Sequence, residues 1–271
     1  MVCGWVLGDE YAANIAETVT HADLLRRFRS ARPSVEHLMD YIPRIKPRLY
    51  SIASSPSESA DSIALCIVVD DWTTPSGVYK RGLASNYLTH QTPAGEDRVV
   101  AKVNAGVVAM PSRHEVPMVM AGLGTGLAPL RGMVRDRAFA IGQGQISQQD
   151  AGDMALYFGA RYRRNEFLYE SEWEQFHDGG RGPLTHLRTA FSRDQSHKIY
   201  IQDKIMEDPE LIHDYLVNQK GYFYACGSSA VQDLKHYVAK CIATVGQMPE
   251  DEAADYVTKM MIENRYCIES W

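Results

Sequence analysis

The sequence predicts an α/β domain with a doubly wound parallel sheet, preceded by an antiparallel β-rich domain of the barrel or sandwich kind. Residues 48–110 contain consecutive strand-like segments separated by turn signals, which is typical of antiparallel strands. From Val116 the pattern changes to alternating strand and helix, which favours parallel strands joined by right-handed crossovers. These two patterns place the domain boundary near residues 110–115.

Residues 1–45 are predicted to be helical and then irregular. Thr20 and Ser34 are of the residue types that cap helix starts. Pro43 and Pro47 disfavour any further helix.

The β-rich region has three predicted strands. They cover residues 49–54, 62–70 and 97–106, and the second is rich in β-branched residues. A turn is predicted at residues 74–77, and a short helical segment at residues 84–91.

The α/β region is expected to contain five strands and five helices. The strands are predicted at residues 117–121, 154–160, 184–189, 197–202 and 221–226. The helices are predicted near residues 127–141, 166–177, 208–218, 229–244 and 250–263. Ligands of such sheets bind at the carboxyl ends of the strands, so the segments that follow the strands form the candidate site.

A glycine-rich turn follows the first of these strands. It contains Gly122, Gly124 and Gly126, with Thr125 between the last two. Glycines let the main chain approach a ligand closely, and free N–H groups at a helix start attract anions. The turn is therefore predicted to hold a diphosphate. For a glycine triplet alone, a tight strand-to-helix turn without a ligand is the alternative.

The residues after the next two strands point to the kind of dinucleotide. NAD sites carry an acidic residue about 20 positions after the glycines, whereas here the next strand ends at Arg161. Ser192, Arg193 and Lys198 follow within seven positions of one another. Two cations and a hydroxyl suit a dianionic 2′-phosphate, which favours NADP over NAD. A solvated basic loop is the alternative.

Two stretches upstream could contact a flat redox ring and its phosphates. PRLYSIASS contains Arg48, Tyr50 and Ser51, which combine a cation, an aromatic face and a hydroxyl. Without other support, an ordinary strand with an exposed arginine explains this stretch better. RGLASNYL offers a second helix start that could bind an anion, with a plain N-cap at Ser85 as the alternative.

Cys226 and Trp271 are two further candidates. Cys226 ends an aromatic strand and could pack beside a nicotinamide, although a free cysteine is more often a small buried hydrophobic residue. Trp271 is the last residue, and it could cover a cofactor ring or anchor the tail in the core.

The composition argues against several classes of protein. A net charge of −6 without a Lys/Arg cluster disfavours a nucleic-acid partner. The five cysteines are scattered and lack C-x-x-C spacing, which favours reduced thiols in the cytoplasm over disulfides or a metal site. No apolar stretch approaches the roughly 20 residues of a membrane span.

In combination the motifs resemble the ferredoxin–NADP reductase superfamily, and most of all the C-terminal half of diflavin reductases. Those enzymes are NADPH–haemoprotein (cytochrome) reductase and the flavoprotein subunit of sulfite reductase. The fused pyruvate:NADP oxidoreductases of some protists end in the same module. The resemblance runs from about Tyr11 to Trp271. Its motifs, in chain order, are PRLYSIASS, GLASNYL, GLGTGLAP, YFGAR, EFLYESEW, FSRDQSHKIYIQ, YACG and RYCIESW.

The resemblance implies how the chain is divided and what it binds. Residues 115–271 would be the α/β NADP-binding domain, and residues 46–114 an antiparallel β-barrel FAD domain that is N-terminally truncated. Residues 1–45 would be the helical tail of a connecting region. FAD and NADPH are the implied cofactors, with FMN only in a missing domain. The implied partner is that FMN or flavodoxin-like domain, or another redox partner such as a haemoprotein or the haem subunit of sulfite reductase.

The resemblance also implies roles for individual residues. Those expected at FAD are Arg48 at its phosphate, Tyr50 stacked on the isoalloxazine, Ser51 near flavin N5, Cys66 and Val68 along the flavin, and Gly82, Leu83, Ala84 and Ser85 at the diphosphate. Those expected at NADPH are Gly124, Thr125 and Gly126 at the diphosphate, Arg161 on the phosphate side, Ser192, Arg193 and Lys198 at the 2′-phosphate, and Tyr200 and Gln202 nearby on one strand. Cys226 is expected beside the nicotinamide, and Trp271 over the flavin.

The sequence departs from the family pattern at two positions around Cys226. Ser228 stands where an acid is common, and Glu269 stands where aspartate is common. The catalytic candidates are therefore Ser51, Cys226, Glu269 and Trp271, the first three as a hydrogen-bonded cluster.

The expected activity is hydride transfer from NADPH to FAD, followed by transfer of single electrons to an acceptor. Three alternatives remain: the reductase end of a pyruvate:NADP oxidoreductase, an NADP-binding module without FAD, and a structural remnant or interaction domain.

Overall fold

The computed structural model describes residues 7–91, 99–106, 108 and 110–271. The chain divides into two compact units. One comprises Met1–Leu49 and Ile67–Ala101, and the other comprises Tyr50–Cys66 and Lys102–Trp271. Residues 50–66 therefore belong with the larger unit, although the chain on either side of them belongs to the smaller one.

The smaller unit is mostly helical in its described part. Its elements are helices α1 (Leu7–Ala16), α2 (His21–Arg27) and α3 (Val35–Tyr41), strands β1 (Asp71–Thr73) and β2 (Tyr79–Arg81), and helix α4 (Leu83–Thr89). The predicted caps are confirmed: Thr20 forms a capping box with Asp23, and the hydroxyl of Ser34 accepts from the N–H of His37. The predicted turn joins β1 and β2 as an antiparallel hairpin.

Of the three strands predicted in the β-rich region, those at residues 49–54 and 62–70 are wrong, and the one at residues 97–106 can be tested only in part. Within residues 49–54 and 62–70 the structure has one isolated antiparallel bridge, between Ile52 and Leu65. Residues 99–106 form no strand, and the start of that predicted strand lies outside the described residues. Residues 62–70 are mostly exposed, so their β-branched side chains lack the covered face that stabilises a strand.

The larger unit contains a five-stranded sheet. Its strands are β3 (Met118–Leu123), β4 (Met154–Ala160), β5 (His186–Phe191), β6 (Tyr222–Gly227) and β7 (Tyr266–Ser270). Its helices are α5 (Leu127–Gly142), α6 (Arg163–Glu166), α7 (Glu170–His177), α8 (Ile201–Met206), α9 (Pro209–His213), α10 (Leu234–Gly246) and α11 (Glu250–Ile262). The order is β5-β4-β3-β6-β7, and every pair is parallel. The predicted doubly wound parallel sheet is confirmed.

Each face of this sheet packs on its own group of helices. Val119 and Tyr157 point into a buried cluster completed by α8 to α11, whereas Met120 and Phe158 point into one completed by α5 and α7. Successive side chains of a strand point to opposite faces, so a central strand covered on both sides must be apolar throughout. This is why MVMAG and MALYFG are continuous apolar runs.

One strand prediction for the larger unit is wrong, and one of its strands was not predicted. Residues 197–202 are not a strand, because Ile201 begins helix α8, where Ile201 and Ile205 lie one turn apart in the core. The last strand, β7, has no counterpart among the predicted strands. It pairs in parallel with β6, and the ring of Tyr266 stacks on Phe223 at 4.6 Å.

None of the helices in the described part of the chain is both long and apolar enough to cross a bilayer.

Candidate functional site

The carboxyl ends of all five parallel strands meet at one edge of the sheet, as they must in a parallel arrangement. Predicted site residues lie at every one of these ends. In sheet order they are Ser192 and Arg193 after β5, Arg161 after β4, Gly124 to Gly126 after β3, Cys226 at the end of β6, and Glu269 with Trp271 at the end of β7. Segments spread over residues 124–271 are thus brought to one edge of the sheet.

The glycine turn connects β3 to α5 with a short 3₁₀ segment, Gly124–Gly126. Gly124 has a φ of +56°, and a side chain built on it would meet nothing within 4 Å, so the turn faces open space there. Helix α5 begins at Leu127 and runs for 16 residues. Its N-terminal partial positive charge therefore lies next to the turn.

Gly126 is required for a different reason. A Cβ at this position would lie 2.0 Å from the carbonyl oxygen of Cys226. At Gly227, whose φ is +138°, a Cβ would lie 2.7 Å from the carbonyl oxygen of Leu123. The glycine turn is therefore packed directly on the end of β6, next to the cysteine. The role of Gly227 was missed from the sequence, where the YACG motif was its only signal.

The basic residues that follow β4 and β5 differ in whether an acidic side chain pairs with them. The guanidinium of Arg161 pairs with Glu166 at 2.6 Å, and hydrogen bonds to that carboxylate raise the pKa of Arg161. Arg193 and Lys198 are exposed, and neither has an ion-pair partner among the described residues. An unpaired cation is free to bind an anionic ligand, so Arg193 and Lys198 suit this role better than Arg161.

The loop that carries these cations is held in shape by main-chain and side-chain bonds. The N–H of Ser192 donates to the carbonyl of Ala160 at 3.0 Å, and the N–H of Arg193 donates to that of Arg161 at 2.9 Å. The Gln195 amide donates to the carbonyls of Phe191 and His197 at 2.7 and 2.8 Å. Ser192 and Arg193 are thereby fixed beside Arg161, as the sequence suggested.

Tyr200 and Gln202 do not share a strand, contrary to the expectation. Tyr200 is the N-cap of α8, and its N–H donates to Asp203 at 2.8 Å. Gln202 lies in the first turn of that helix. The ring of Tyr200 is 42% exposed, so it remains open to a ligand.

Cys226 is fully buried between Gly122 of β3 and Glu269 of β7 in the sheet. Burial, and secondly the charge of Glu269, raise the pKa of its thiol to about 12. The thiol is therefore protonated throughout the physiological pH range. Glu269 is half-buried and aligned with Cys226 in register.

Trp271 is fixed by its main chain while its ring remains exposed. The N–H of Trp271 donates to the carbonyl of Gly227 at 3.1 Å, yet the residue is 58% exposed. Its ring therefore does not anchor the tail in the core.

In the smaller unit, an open cleft contains two of the residues expected at FAD. Its volume is about 500 Å³, and it is lined by residues 43–48 and by Leu83. Arg48 and Leu83 are both exposed there. Val68, in the same unit, is 59% exposed.

The turn before α4 is organised by Ser85. The Ser85 hydroxyl accepts from the N–H of Asp70 at 3.1 Å, and the N–H of Gly82 donates to the carbonyl of Asp70 at 2.7 Å. Ser85 is 6% exposed, so its hydroxyl is engaged within the protein rather than presented to solvent. Gly82 is the N-cap, and Leu83 and Ala84 form the first turn of the helix.

Tyr50, Ser51 and Cys66 belong to the larger unit and are half-buried. The Cys66 thiol lies at Tyr169: burial and the hydrogen bond with Cys66 raise the pKa of that tyrosine to about 12. No three histidine, cysteine or acidic side chains among the described residues are grouped so that they could hold a metal ion.

Two family models match the chain. The FAD binding domain family matches residues 9–87, and the oxidoreductase NAD-binding domain family matches residues 119–236. The second match contains the ends of β3 to β6, that is, most of the edge described above.

Three relatives illustrate the similarity. The chain is 36% identical over 261 residues to NADPH–cytochrome P450 reductase of Musca domestica, covering 95% of this chain and 38% of the relative. It is 35% identical over 254 residues to the human reductase of that name, covering 92% of this chain and 36% of the relative. It is 38% identical over 267 residues to the mitochondrial pyruvate dehydrogenase [NADP(+)] of Euglena gracilis, covering 98% of this chain but 14% of the relative.

The fold, the two family matches and these relatives together show that the chain belongs to the ferredoxin–NADP reductase superfamily. Within it, the chain corresponds to the C-terminal module of a diflavin reductase, whose cofactors are FAD and NADPH. It spans little more than a third of the length of the cytochrome P450 reductases that it matches.

Proposed function

We propose that this chain is a reductase module that binds NADPH at the carboxyl edge of its sheet and directs hydride from the nicotinamide to a bound FAD. When bound, FAD supplies acceptance of a hydride and release of single electrons to a separate acceptor. The observation that carries the proposal is the arrival of predicted site residues at the carboxyl ends of all five parallel strands.

The glycine turn is assigned to the NADPH diphosphate. At Gly124 the main chain turns with positive φ beside open space, and α5 begins directly afterwards. Gly124, Thr125 and Gly126 can therefore present their main chain to an anion at the positive end of a long helix.

The 2′-phosphate is assigned to Ser192, Arg193 and Lys198. Support comes from the two unpaired cations and from the loop that Gln195 braces. In this assignment Arg161 orders the loop through its carbonyl and keeps its guanidinium on Glu166, while Tyr200 and Gln202 flank the nucleotide from the start of α8.

The nicotinamide is assigned to the place where β6 and β7 end, which carries Cys226, Glu269 and Trp271. The Cys226 thiol is buried and protonated, so it adds no charge there, whereas the half-buried Glu269 carboxylate offers a negative charge that favours a developing nicotinamide cation. The exposed ring of Trp271 is free to cover a flavin and to move aside for the nicotinamide.

The flavin is assigned to three segments of the chain, each with its own role. Arg48 would bind its phosphate, Tyr50 would stack on the ring, and Ser51 would lie near N5, with Cys66 and Val68 along it. Gly82, Leu83 and Ala84 would approach the diphosphate with their main chain, with Ser85 holding that turn in place through Asp70. Support comes from the exposure of Arg48, Val68 and Leu83 and from the family match over residues 9–87.

Purification of the chain with added FAD tests the proposal. We expect stoichiometric flavin absorbance in the purified protein and reduction of ferricyanide by NADPH. A protein that binds NADP⁺ but holds no flavin would instead support the alternative of an NADP-binding module without FAD. If neither flavin nor nucleotide bound, and NADP⁺ did not raise the melting temperature, the enzymatic proposal would be wrong.

The electron acceptor is proposed to be an FMN-containing, flavodoxin-like domain, as in a cytoplasmic diflavin reductase. A specific second candidate is the reductase end of a pyruvate:NADP oxidoreductase, favoured by the match to the Euglena gracilis protein over 98% of this chain. The coding sequence upstream of Met1 separates the two. A flavodoxin-like region would support the first, and an iron–sulfur, thiamine-dependent region the second.

A further inference from the structure

Residues 50–66 carry three of the residues assigned to the flavin, and they are fastened to the larger unit through one side of helix α5. The Ser55 hydroxyl donates to Asp136 at 2.8 Å. Arg135 pairs with Glu58. Gly132 leaves room for the carbonyl of Ser54, which would lie 3.0 Å from a Cβ there. The helix that begins at the NADPH turn thus also holds the flavin segment.

Arg131 is the central member of this contact. Its guanidinium donates to the carbonyl of Ala53 at 2.6 Å and to Glu172 of α7 at 2.8 Å, and lies 4.5 Å from the ring centre of Tyr169. The side chains of Arg131 and Glu172 are 13% and 18% exposed, so the pair is well shielded from water. A planar guanidinium with several fixed donors can make all three contacts at once.

These contacts reach both halves of the flavin segment. Ala53, two residues after Ser51, is fully buried, and its N–H donates to the carbonyl of Ala64 at 2.8 Å. Ile52 and Leu65 form the bridge beside it, and Cys66 follows directly. Cys66 lies close enough to Tyr169 to raise the pKa of that hydroxyl, and the ring of Tyr169 lies under Arg131 with a φ of 59° that is strained for a tyrosine. Through Ala53 and Tyr169, Arg131 is therefore connected to both ends of the segment formed by residues 50–66.

We propose that Arg131 is a positioning residue that holds the segments carrying Ser51 and Cys66 at a fixed place relative to the NADPH turn. Arg131 lies five residues after Gly126 on the same helix, a rise of about 7 Å. A rigid helix fixes that spacing, and hydride transfer depends steeply on the separation of donor and acceptor atoms. The expected effect on hydride transfer rests on the proposed function. The attachment of residues 50–66 to helix α5 through Arg131 does not depend on it.

Hydrogen exchange of the chain without cofactors tests the fastening. Arg131→Met should speed amide exchange in residues 50–57 about tenfold, because it removes the contact to Ala53 and Tyr169. The matched control is Arg188→Met, which breaks the pair with Asp208 elsewhere in the unit and should leave that exchange unchanged. Arg131→Lys keeps a positive charge beside Glu172 and so serves as a variant that is less prone to misfold. We expect its amide exchange in residues 50–57 to lie between those of the wild type and Arg131→Met.

Two further measurements separate this inference from the proposed function. The affinity of 2′,5′-ADP should stay within about twofold of the wild type in both Arg131 variants, because the nucleotide residues are untouched. In FAD-loaded protein, the rate of flavin reduction at saturating NADPH should fall about tenfold in Arg131→Met. Unchanged exchange in residues 50–57, or altered exchange with an unchanged rate, would overturn the inference. A wild type that binds neither 2′,5′-ADP nor FAD would overturn the proposed function and leave the exchange result standing.

Discussion

Two arginines at the same sheet edge show how a residue's partners decide what it can do. Arg161 and Arg193 are joined through the main chain at 2.9 Å. The guanidinium of Arg161 is occupied by Glu166, whereas Arg193 has no ion-pair partner among the residues described. The sequence places both near a phosphate but does not show which of them is free, since Glu166 is simply one acid among many in it.

Arg193→Ala should weaken the binding of NADPH much more than the binding of NADH. Loss of a charge-assisted contact to the 2′-phosphate should raise the dissociation constant for NADPH about tenfold or more, while NADH lacks that group. Arg181→Ala is the control, because Arg181 precedes β5 and so lies toward the opposite edge, paired with Asp178. Titration of both nucleotides measures the ratio, and equal losses for the two would contradict the assignment.

Removal of the hydroxyl group of Tyr266 tests how a single buried polar group affects the stability of the fold. Its hydroxyl is buried and has no hydrogen-bond partner within the part of the chain that the structure describes, whereas the buried hydroxyl of Tyr157 donates to Asp208 at 3.0 Å. Tyr266→Phe should therefore raise the free energy of unfolding by about 1 kcal/mol, and Tyr157→Phe should lower it by about 1–2 kcal/mol. Urea unfolding of the two variants provides the comparison, and a loss of stability in Tyr266→Phe would contradict the expectation.

Among the elements, the turn between β3 and α5 is constrained on both sides. Gly124 faces open space, and Gly126 faces the main chain of β6. The sequence predicted the turn from its glycines, but it could not distinguish a glycine required for ligand approach from one required by a neighbouring strand.

Gly126→Ala should displace the turn. The added methyl group would meet the Cys226 carbonyl at 2.0 Å, and main-chain atoms there cannot move aside cheaply. We expect a destabilisation of about 2 kcal/mol or more, with loss of NADP⁺ binding. Gly142→Ala is the control, because a Cβ at this helical position meets nothing within 4 Å, and it should be neutral or slightly stabilising. Calorimetry of both variants, with and without NADP⁺, measures both effects.

The elements that were predicted wrongly share a cause. HKIYIQ alternates apolar and polar residues as a strand does, yet Ile201 and Ile205 use helical spacing to reach the core. YCIES is too short to stand out, and it becomes a strand because β6 offers a free edge for it. SIALCIVV has strong strand propensity but little cover, and among the described residues its one β-bridge is at Leu65. Propensity yields to burial in all three cases.

At the scale of the whole molecule, the buried thiols predict a loss of stability at alkaline pH. Burial raises the pKa of Cys226 to about 12 and that of Cys241 to about 11, from 9.0. The folded state therefore binds more protons above pH 9 than the unfolded chain does, so the stability present below pH 9 falls as the pH rises. Each thiol should lower the free energy of unfolding by about 1 kcal/mol between pH 9 and 10, because the unfolded thiol is already half ionised at pH 9.

Urea unfolding at pH 8, 9 and 10 checks this dependence. Cys241→Ala is the informative variant, because it should remove about half of the loss attributed to the thiols. A free energy of unfolding that stayed constant or rose between pH 9 and 10 would contradict the prediction.

The sequence by itself determined the parallel α/β class and the order of its motifs, because sheet burial on two faces forces continuous apolar strands and a dinucleotide turn needs glycines. It also determined the preference for NADP, since cations stand where an acid would bind a ribose hydroxyl. Tertiary structure alone decided which cations are free, that Gly126 and Gly227 join β3 to β6, and that β7 completes the edge with Glu269 and Trp271. Only the fold could assign residues 50–66 to the larger unit through Arg131, because that contact joins positions 78 apart in the chain. Such contacts depend on which surfaces packing brings together, and no local pattern encodes them.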